Sequence, residues 1–386
     1  TGMADNPEVK ELMKLKGLSS AFVHADDLAQ LFCRELFLGP RQQSWVAPAR
    51  TFPAVKGTLV KPPLSEVDGA GHSLNGIRFH DREFPMIGTL DELDLKNGEL
   101  IAKRTFSQTY DLWIDDHKPF QFIKHPLVSG IMAVETFLEA ARLLYPHLGV
   151  QAVRQLKFED ILECPPGVER ETRINCRRYE DAGQEVRCDV QLSSAGISPS
   201  GRRLENWSTN YRGQVFLGSK TPASLPPWQA SDIKMNDLDT GAVEPDGIQD
   251  AYEKRTGLKG RYRVLEKILG TGPGLIKGEM VYREQPDMAG LEQVSYQYPP
   301  YLLEALMHLF AFYIIIRQEE ALWHLIPAGM DEMRFARNAR MGERFTLEAW
   351  LNAEDDQGFI WNARAVDESG TPVMQILSMR MNRFFP

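Results

Sequence analysis

The sequence predicts an α+β protein built from two similar units, each a long helix set against antiparallel strands. Three observations carry this. Two helical stretches, 131–145 and 300–322, are each followed by runs of strand-like alternation. A Pro-, Ser-, Asp- and Gly-rich segment, 218–247, separates them. The strand runs also overlay: LKFEDILECPPGVERETRINCRRYEDAGQEVRCDV follows the same order as MRFARNARMGERFTLEAWLNAEDDQGFIWNARAV, with Phe158 on Phe335.

Taken in order, residues 1–45 read as helical. NPEVKELMKLKGL has an Asn cap and Val9, Leu12 and Met13 at helical spacing, and HADDLAQLFCREL repeats this with Leu28, Leu31, Phe32 and Leu36. Residues 46–75, with Pro48, Pro53, Pro62 and Pro63, read as linker. The first unit spans 76–218. Its helix, IMAVETFLEAARLLY, places Val134, Phe137, Leu138, Ala141 and Leu144 on one face, with Glu135, Glu139 and Arg142 opposite. Residues 219–247 read as a second linker. The second unit spans 248–386: RYRVLEKIL and GLIKGEMVYRE as strands, then the helix, then strands in which Phe345, Leu347, Ala349 and Leu351 alternate with polar residues.

The chain has 386 residues, enough for two or three domain-sized cores. A net charge of −9 with no basic block argues against nucleic-acid binding. Cys33, Cys164, Cys176 and Cys188 fit no metal or redox spacing and predict a reducing, cytoplasmic setting. The run around residue 310 is the one candidate for a membrane span. Its two central titratable residues and the preceding Pro299-Pro300 favour a buried core helix.

Those two residues are Glu304 and His308, within PYLLEALMHLFAFYIII. Burying a carboxyl and an imidazole is costly unless each finds a partner or neutralises. One turn apart, they point the same way, toward a cavity or the other unit. GTGPG (270–274) reads as a hairpin turn, GISPSG (196–201) as a loop, and Met330 and Met333 as core.

KPFQFIKHPLVSGIMAVETFLEAARLL is similar to the HxxxGxxxxP region of dehydratase domains in type I polyketide synthases, with His125 in the place of the motif histidine. YPPYLLEALMH resembles the second motif, P-x-L-L-D followed by Gln or His: Glu304 stands at the Asp place and His308 at the Gln/His place. Ser129 stands at the usual Gly, with Gly130 next, and Val134 at the usual Pro. Lys259-Gly260-Arg261 replaces the YGP element. The resemblance covers about residues 75–386 and implies a double hotdog. The opening 45 residues resemble the tail of a ketoreductase domain, an order found in iterative synthases of the enediyne and polyunsaturated-lipid types.

The resemblance implies a hydro-lyase that dehydrates β-hydroxyacyl thioesters to α,β-enoyl thioesters. His125 is the expected base. Glu304 is the expected acid, kept protonated by apolar surroundings, with His308 supporting it. Ser129, Gly130, Pro300 and Leu303 are expected to bind substrate, the Gly130 amide polarising the thioester carbonyl. His117 ranks below His125, because Asp115, Asp116 and Lys118 suggest a solvated turn. No metal or redox cofactor is expected; the substrate would arrive on the phosphopantetheine of an acyl carrier protein. Adjacent synthase domains and a homodimer are expected partners, nucleic acid and membrane are not. Enoyl isomerisation, cyclisation and a non-catalytic scaffold are the alternatives.

Overall fold

A computed structural model of the chain describes residues 77–78, 84–120, 123–182, 185–198, 201–219, 225, 237–239, 241–283, 287–289, 294–317 and 324–384. The expected N-terminal helices and the 46–75 linker lie outside the described residues.

The first half contains β1 (Ile77–Arg78), β2 (Thr89–Asp94), β3 (Glu99–Phe106), α1 (Trp113–Asp116), α2 (Gly130–Leu144), β4 (Gly149–Phe158), β5 (Arg170–Ala182), β6 (Glu185–Ile197) and β7 (Arg203–Gly218). The second contains α3 (Pro245–Arg255), a 3-10 turn (Gly260–Tyr262), β8 (Lys267–Gly272), β9 (Leu275–Val281), α4 (Pro300–Arg317), β10 (His324–Phe335), β11 (Arg344–Asp355), β12 (Gly358–Asp367) and β13 (Pro372–Phe384). The strands form one sheet in the order β1-β2-β3-β5-β6-β7-β4-β10-β13-β12-β11-β9-β8. This order is nearly symmetric about the β4–β10 pair, where Leu156 faces Met330 and Val153 faces Met333. Phe158 and Phe335 end these two strands, so the sequence overlay follows the structural one. Gly329, at φ +156°, makes the seam possible: a Cβ there would lie 2.3 Å from the Leu156 carbonyl oxygen.

Each half of the sheet curves around its helix, giving the α+β double hotdog that the sequence predicts. Helix α4 packs against β9 and β11 and touches α2. It is apolar nearly all round because it is enclosed; Leu302, Leu306, Leu309 and Phe310 have no exposed surface. Burying each such side chain stabilises the fold by about 1.5–3 kcal/mol. Trp361 stacks on Phe310 at 5.2 Å and meets Tyr313 edge-on at 4.9 Å. Among the described residues α4 alone is long and apolar enough to cross a membrane, and most of it is buried inside the protein.

Three local expectations are corrected. Helix α2 is not amphipathic in place, since Glu135 and Glu139 are fully buried. Each finds a backbone donor: Gln297 N–H reaches Glu135 Oε1 at 2.7 Å, and Met86 N–H reaches Glu139 Oε2 at 2.8 Å. RYRVLEKIL begins as a 3-10 turn, because Asp116 takes the Arg261 amide and side chain and bends the chain there. Helix α3 starts at Pro245, inside the segment read as linker; Pro at the first helical position loses no hydrogen bond.

Candidate active site

A cavity of about 360 Å³ opens between the start of α2, helix α3 and one face of α4. Glu304, Met307, His308, Ala311 and Ile315 line it, following the helical period. From the first half come His117, Val128, Ser129 and Gly130. The cavity therefore lies on the seam between the two hotdogs.

Glu304 and His308 meet as their spacing implies. His308 Nε2 lies 2.9 Å from Glu304 Oε1. His308 Nδ1 lies 2.9 Å from the Tyr252 hydroxyl on α3. Glu304 Oε2 is buried and has no partner among the described residues. Burial works to push the Glu304 carboxyl up, but the His308 hydrogen bond and the positive charge available on His308 and His117 outweigh it. They hold the carboxyl below its usual range. An apolar setting alone predicts the opposite direction, so that expectation is corrected.

The histidine facing this pair is His117, not His125. Trp113 and Ile114 bury the α1 turn and draw His117, which follows it, into the interior. Its ring lies 4.5 Å from that of Tyr262. His117 Nδ1 lies 3.0 Å from the Leu127 carbonyl oxygen. A carbonyl only accepts, so Nδ1 carries the proton and Nε2 keeps a free lone pair. Burial pushes the imidazole down, and the nearby Glu304 charge only partly offsets this. Both effects together favour the neutral imidazole.

His125 does not line the cavity. The Leu127 amide bonds the His117 carbonyl at 2.9 Å, closing the intervening chain into a loop. His125 lies within that loop, half-buried. The solvated-turn reading of His117 fails because Asp116 is not free in water. Arg261 reaches it at 2.5 Å and also contacts buried Asp287 at 2.9 Å. Trp113-Ile114, one turn ahead of His117, is the sequence signal that could have found it.

Ser129 and Gly130 line the cavity as expected. The Ser129 hydroxyl caps α2, accepting from Ile131 N–H at 3.4 Å, and Tyr211 O–H holds the Val128 carbonyl at 2.7 Å. Gly130 allows Phe158 to pack close: a Cβ there would lie 2.4 Å from the Phe158 ring. Pro300 and Leu303 are core residues outside the cavity wall. Leu303 is about 100° around the helix from Glu304, and Pro300 precedes Glu304 by a full turn. Among the described residues no cluster of three or more His, Cys, Asp or Glu is placed to hold a metal ion.

Residues 242–385 match the family model described as the polyketide synthase dehydratase N-terminal domain. This segment is similar to polyketide synthase dehydratase sequences. It holds Glu304, His308 and Tyr252, while His117 lies ahead of it. The dehydratase resemblance in fold is broader. The dehydratase domain from the CurF module of curacin polyketide synthase aligns with a TM-score of 0.60 at 16% identity, covering 78% of this chain and 100% of that one. A trans-AT polyketide synthase dehydratase domain from Brevibacillus brevis aligns with a TM-score of 0.60 at 10% identity, covering 78% and 99%. A GphF DH1 variant described as isomerase-inactive aligns with a TM-score of 0.55 at 17% identity, covering 79% and 98%. A search of curated proteins finds no significant sequence match.

Proposed function

We propose that this dehydratase fold removes water from β-hydroxyacyl thioesters carried on an acyl carrier protein, giving α,β-enoyl thioesters. The observation that carries this reading is a neutral imidazole from one lobe and a carboxyl–imidazole pair from the other on one apolar cavity. His117 Nε2 takes the proton from Cα. Backbone N–H groups in the first turn of α2, at Ser129–Gly130, polarise the thioester carbonyl and favour that loss. The Glu304–His308 pair supplies the proton for the departing β-hydroxyl, His308 holding Oε1 and Oε2 facing the substrate. The acyl chain lies along Phe120, Ile123, Leu325 and Ile326. The carrier protein, neighbouring synthase domains, a homodimer and a cytoplasmic setting belong to the same reading.

The test is mass spectrometry of a β-hydroxyacyl thioester before and after incubation. The wild type is expected to remove 18 mass units, a loss of about one water. His117→Ala and Glu304→Gln are expected to abolish it while remaining folded. Retained turnover in both variants overturns the assignment. The second imidazole, His308, also supports a rival: shift of an enoyl double bond, which leaves the mass unchanged and moves the olefinic proton signals.

A further inference from the structure

Helices α2 and α4 come from different lobes, and the chain entering α4 is tied along one face of α2. Gln297 N–H reaches Glu135 Oε1 at 2.7 Å, and the Tyr298 amide also favours that carboxyl. Arg142 Nη1 reaches Gln297 Oε1 at 2.9 Å. The Tyr298 hydroxyl donates to the Ile131 carbonyl at 2.7 Å. Ile131, Glu135 and Arg142 fall within about 40° of one another around the helix, so they form one clamp. Glu135 and Tyr298 are buried, so their bonds are made out of water. The scheme above gives neither residue a part.

Pro299 and Pro300 follow the clamped residues at once. Proline fixes φ near −65°, so the clamped chain and the helix it starts move as one piece. The Leu302 amide closes on the Pro299 carbonyl at 3.2 Å and ties the first turn of α4 to the same prolines. Glu304 follows within that helix. On α2 the clamped face begins at Ile131, directly after Ser129 and Gly130, which line the cavity.

We propose that Glu135 and Tyr298 are positioning residues for the dehydration: by clamping the chain ahead of α4 onto α2, they set the reach of Glu304 to a substrate held at the first turn of α2. This rests on the dehydratase reading of the cavity. Neither residue lines the cavity, so neither touches substrate. His117 is anchored separately, through the Leu127 carbonyl. The Tyr301 hydroxyl, 2.8 Å from Asp287, is a second tether that keeps α4 in place when one clamp bond is lost. The helix then shifts and does not detach, and the acid half of the site alone is displaced. His117 still takes the Cα proton, the electron pair of that C–H bond staying on the enolate. The C–O bond does not break, and a proton returned to Cα regenerates the substrate.

The test uses the full chain in heavy water with β-hydroxybutanoyl-N-acetylcysteamine. Two initial rates are read: loss of water, and deuterium entry at Cα of the recovered substrate. Tyr298→Phe keeps the ring and loses only the hydroxyl. Its kcat for dehydration is expected to fall about ten- to a hundredfold with little change in KM, the scale of a misplaced catalytic group. Its ratio of deuterium entry to water loss is expected to rise. Glu135→Leu removes the acceptor and is expected to act likewise. Glu135→Gln keeps an accepting oxygen and is expected to recover most of the turnover lost in Glu135→Leu. A merely structural role lowers the folded fraction, which cuts both rates together and leaves their ratio unchanged; that result overturns the proposal. So does a Glu135→Gln variant no better than Glu135→Leu, and this pair decides the matter if Tyr298→Phe fails to fold. The clamp is also read without substrate. Hydrogen exchange of the Gln297 amide is expected to be at least about tenfold faster in Glu135→Leu than in the wild type, and equal exchange overturns the clamp. A wild type that dehydrates no thioester sinks the dehydratase reading, while amide exchange still tests the clamp.

Discussion

His117 Nδ1 and the Leu127 carbonyl oxygen stand 3.0 Å apart, and the Leu127 amide returns to the His117 carbonyl at 2.9 Å. This double contact pins a histidine ten residues from its partner, at the cavity wall. His125, between them in the chain, does not line that cavity.

The first prediction separates the two histidines. His117→Ala is expected to lower kcat by about 10²–10⁴-fold, the range for a general base. His125→Ala is expected to stay within about twofold, as for a residue outside the site. Steady-state turnover of a β-hydroxyacyl thioester measures both.

Replacing His308 with Leu should leave Glu304 buried without its main partner. Burial then dominates and the carboxyl rises from its lowered position. In the wild type the lowered carboxyl contributes stability that is present above its unfolded value of 4.5 and lost as pH falls through the folded value. His308→Leu removes that contribution, so its stability deficit should be larger at pH 8 than at pH 4. Urea melts at the two pH values check this.

Arg261 joins the segments that carry the site. It pairs with Asp116 beside His117, and with Asp287, which also takes the Tyr301 hydroxyl at 2.8 Å, one turn before Glu304. Arg261→Met leaves a buried carboxyl with only tyrosine partners. The expected loss is about 3–5 kcal/mol of stability, as for one half of a buried ion pair. A sharp fall in kcat should accompany it, even under conditions where the variant is folded. Chemical denaturation and turnover assays read the two effects.

Glu135 and Glu139 predict a pH-dependent core. Burial pushes both carboxyls up, Glu135 to about 8 from 4.5 and Glu139 well above its usual range, each being felt by the other. Raised folded values mean that the stabilising protons are fully held below pH 4.5 and are lost as pH rises through about 8. Stability should therefore fall between those limits, by up to about 1.4 kcal/mol per pH unit for each proton. Glu139→Gln imitates the protonated acid and still accepts from Met86 N–H. It should flatten that slope, read as melting temperature against pH.

The second-lobe half of the site was legible because its information is local. Glu304 and His308 are one turn apart on a helix too apolar to be anything but enclosed, and the helical period alone points them the same way. The first-lobe half was not legible. Asp115, Asp116 and Lys118 make the His117 segment look solvated, and a cation 145 residues away, Arg261, makes Asp116 a paired, half-buried residue. Glu135 and Glu139 misled for the same reason: their partners, Gln297 and Met86, come from distant chain.

The sequence by itself determined the repeated order of helix and strands and the carboxyl–imidazole pair on α4, because these follow from short-range periodicity. The tertiary structure decided which histidine faces that pair, and that the Glu304 carboxyl is lowered and not raised. Both depend on loop closure and on charges brought together across the seam, which no local pattern encodes.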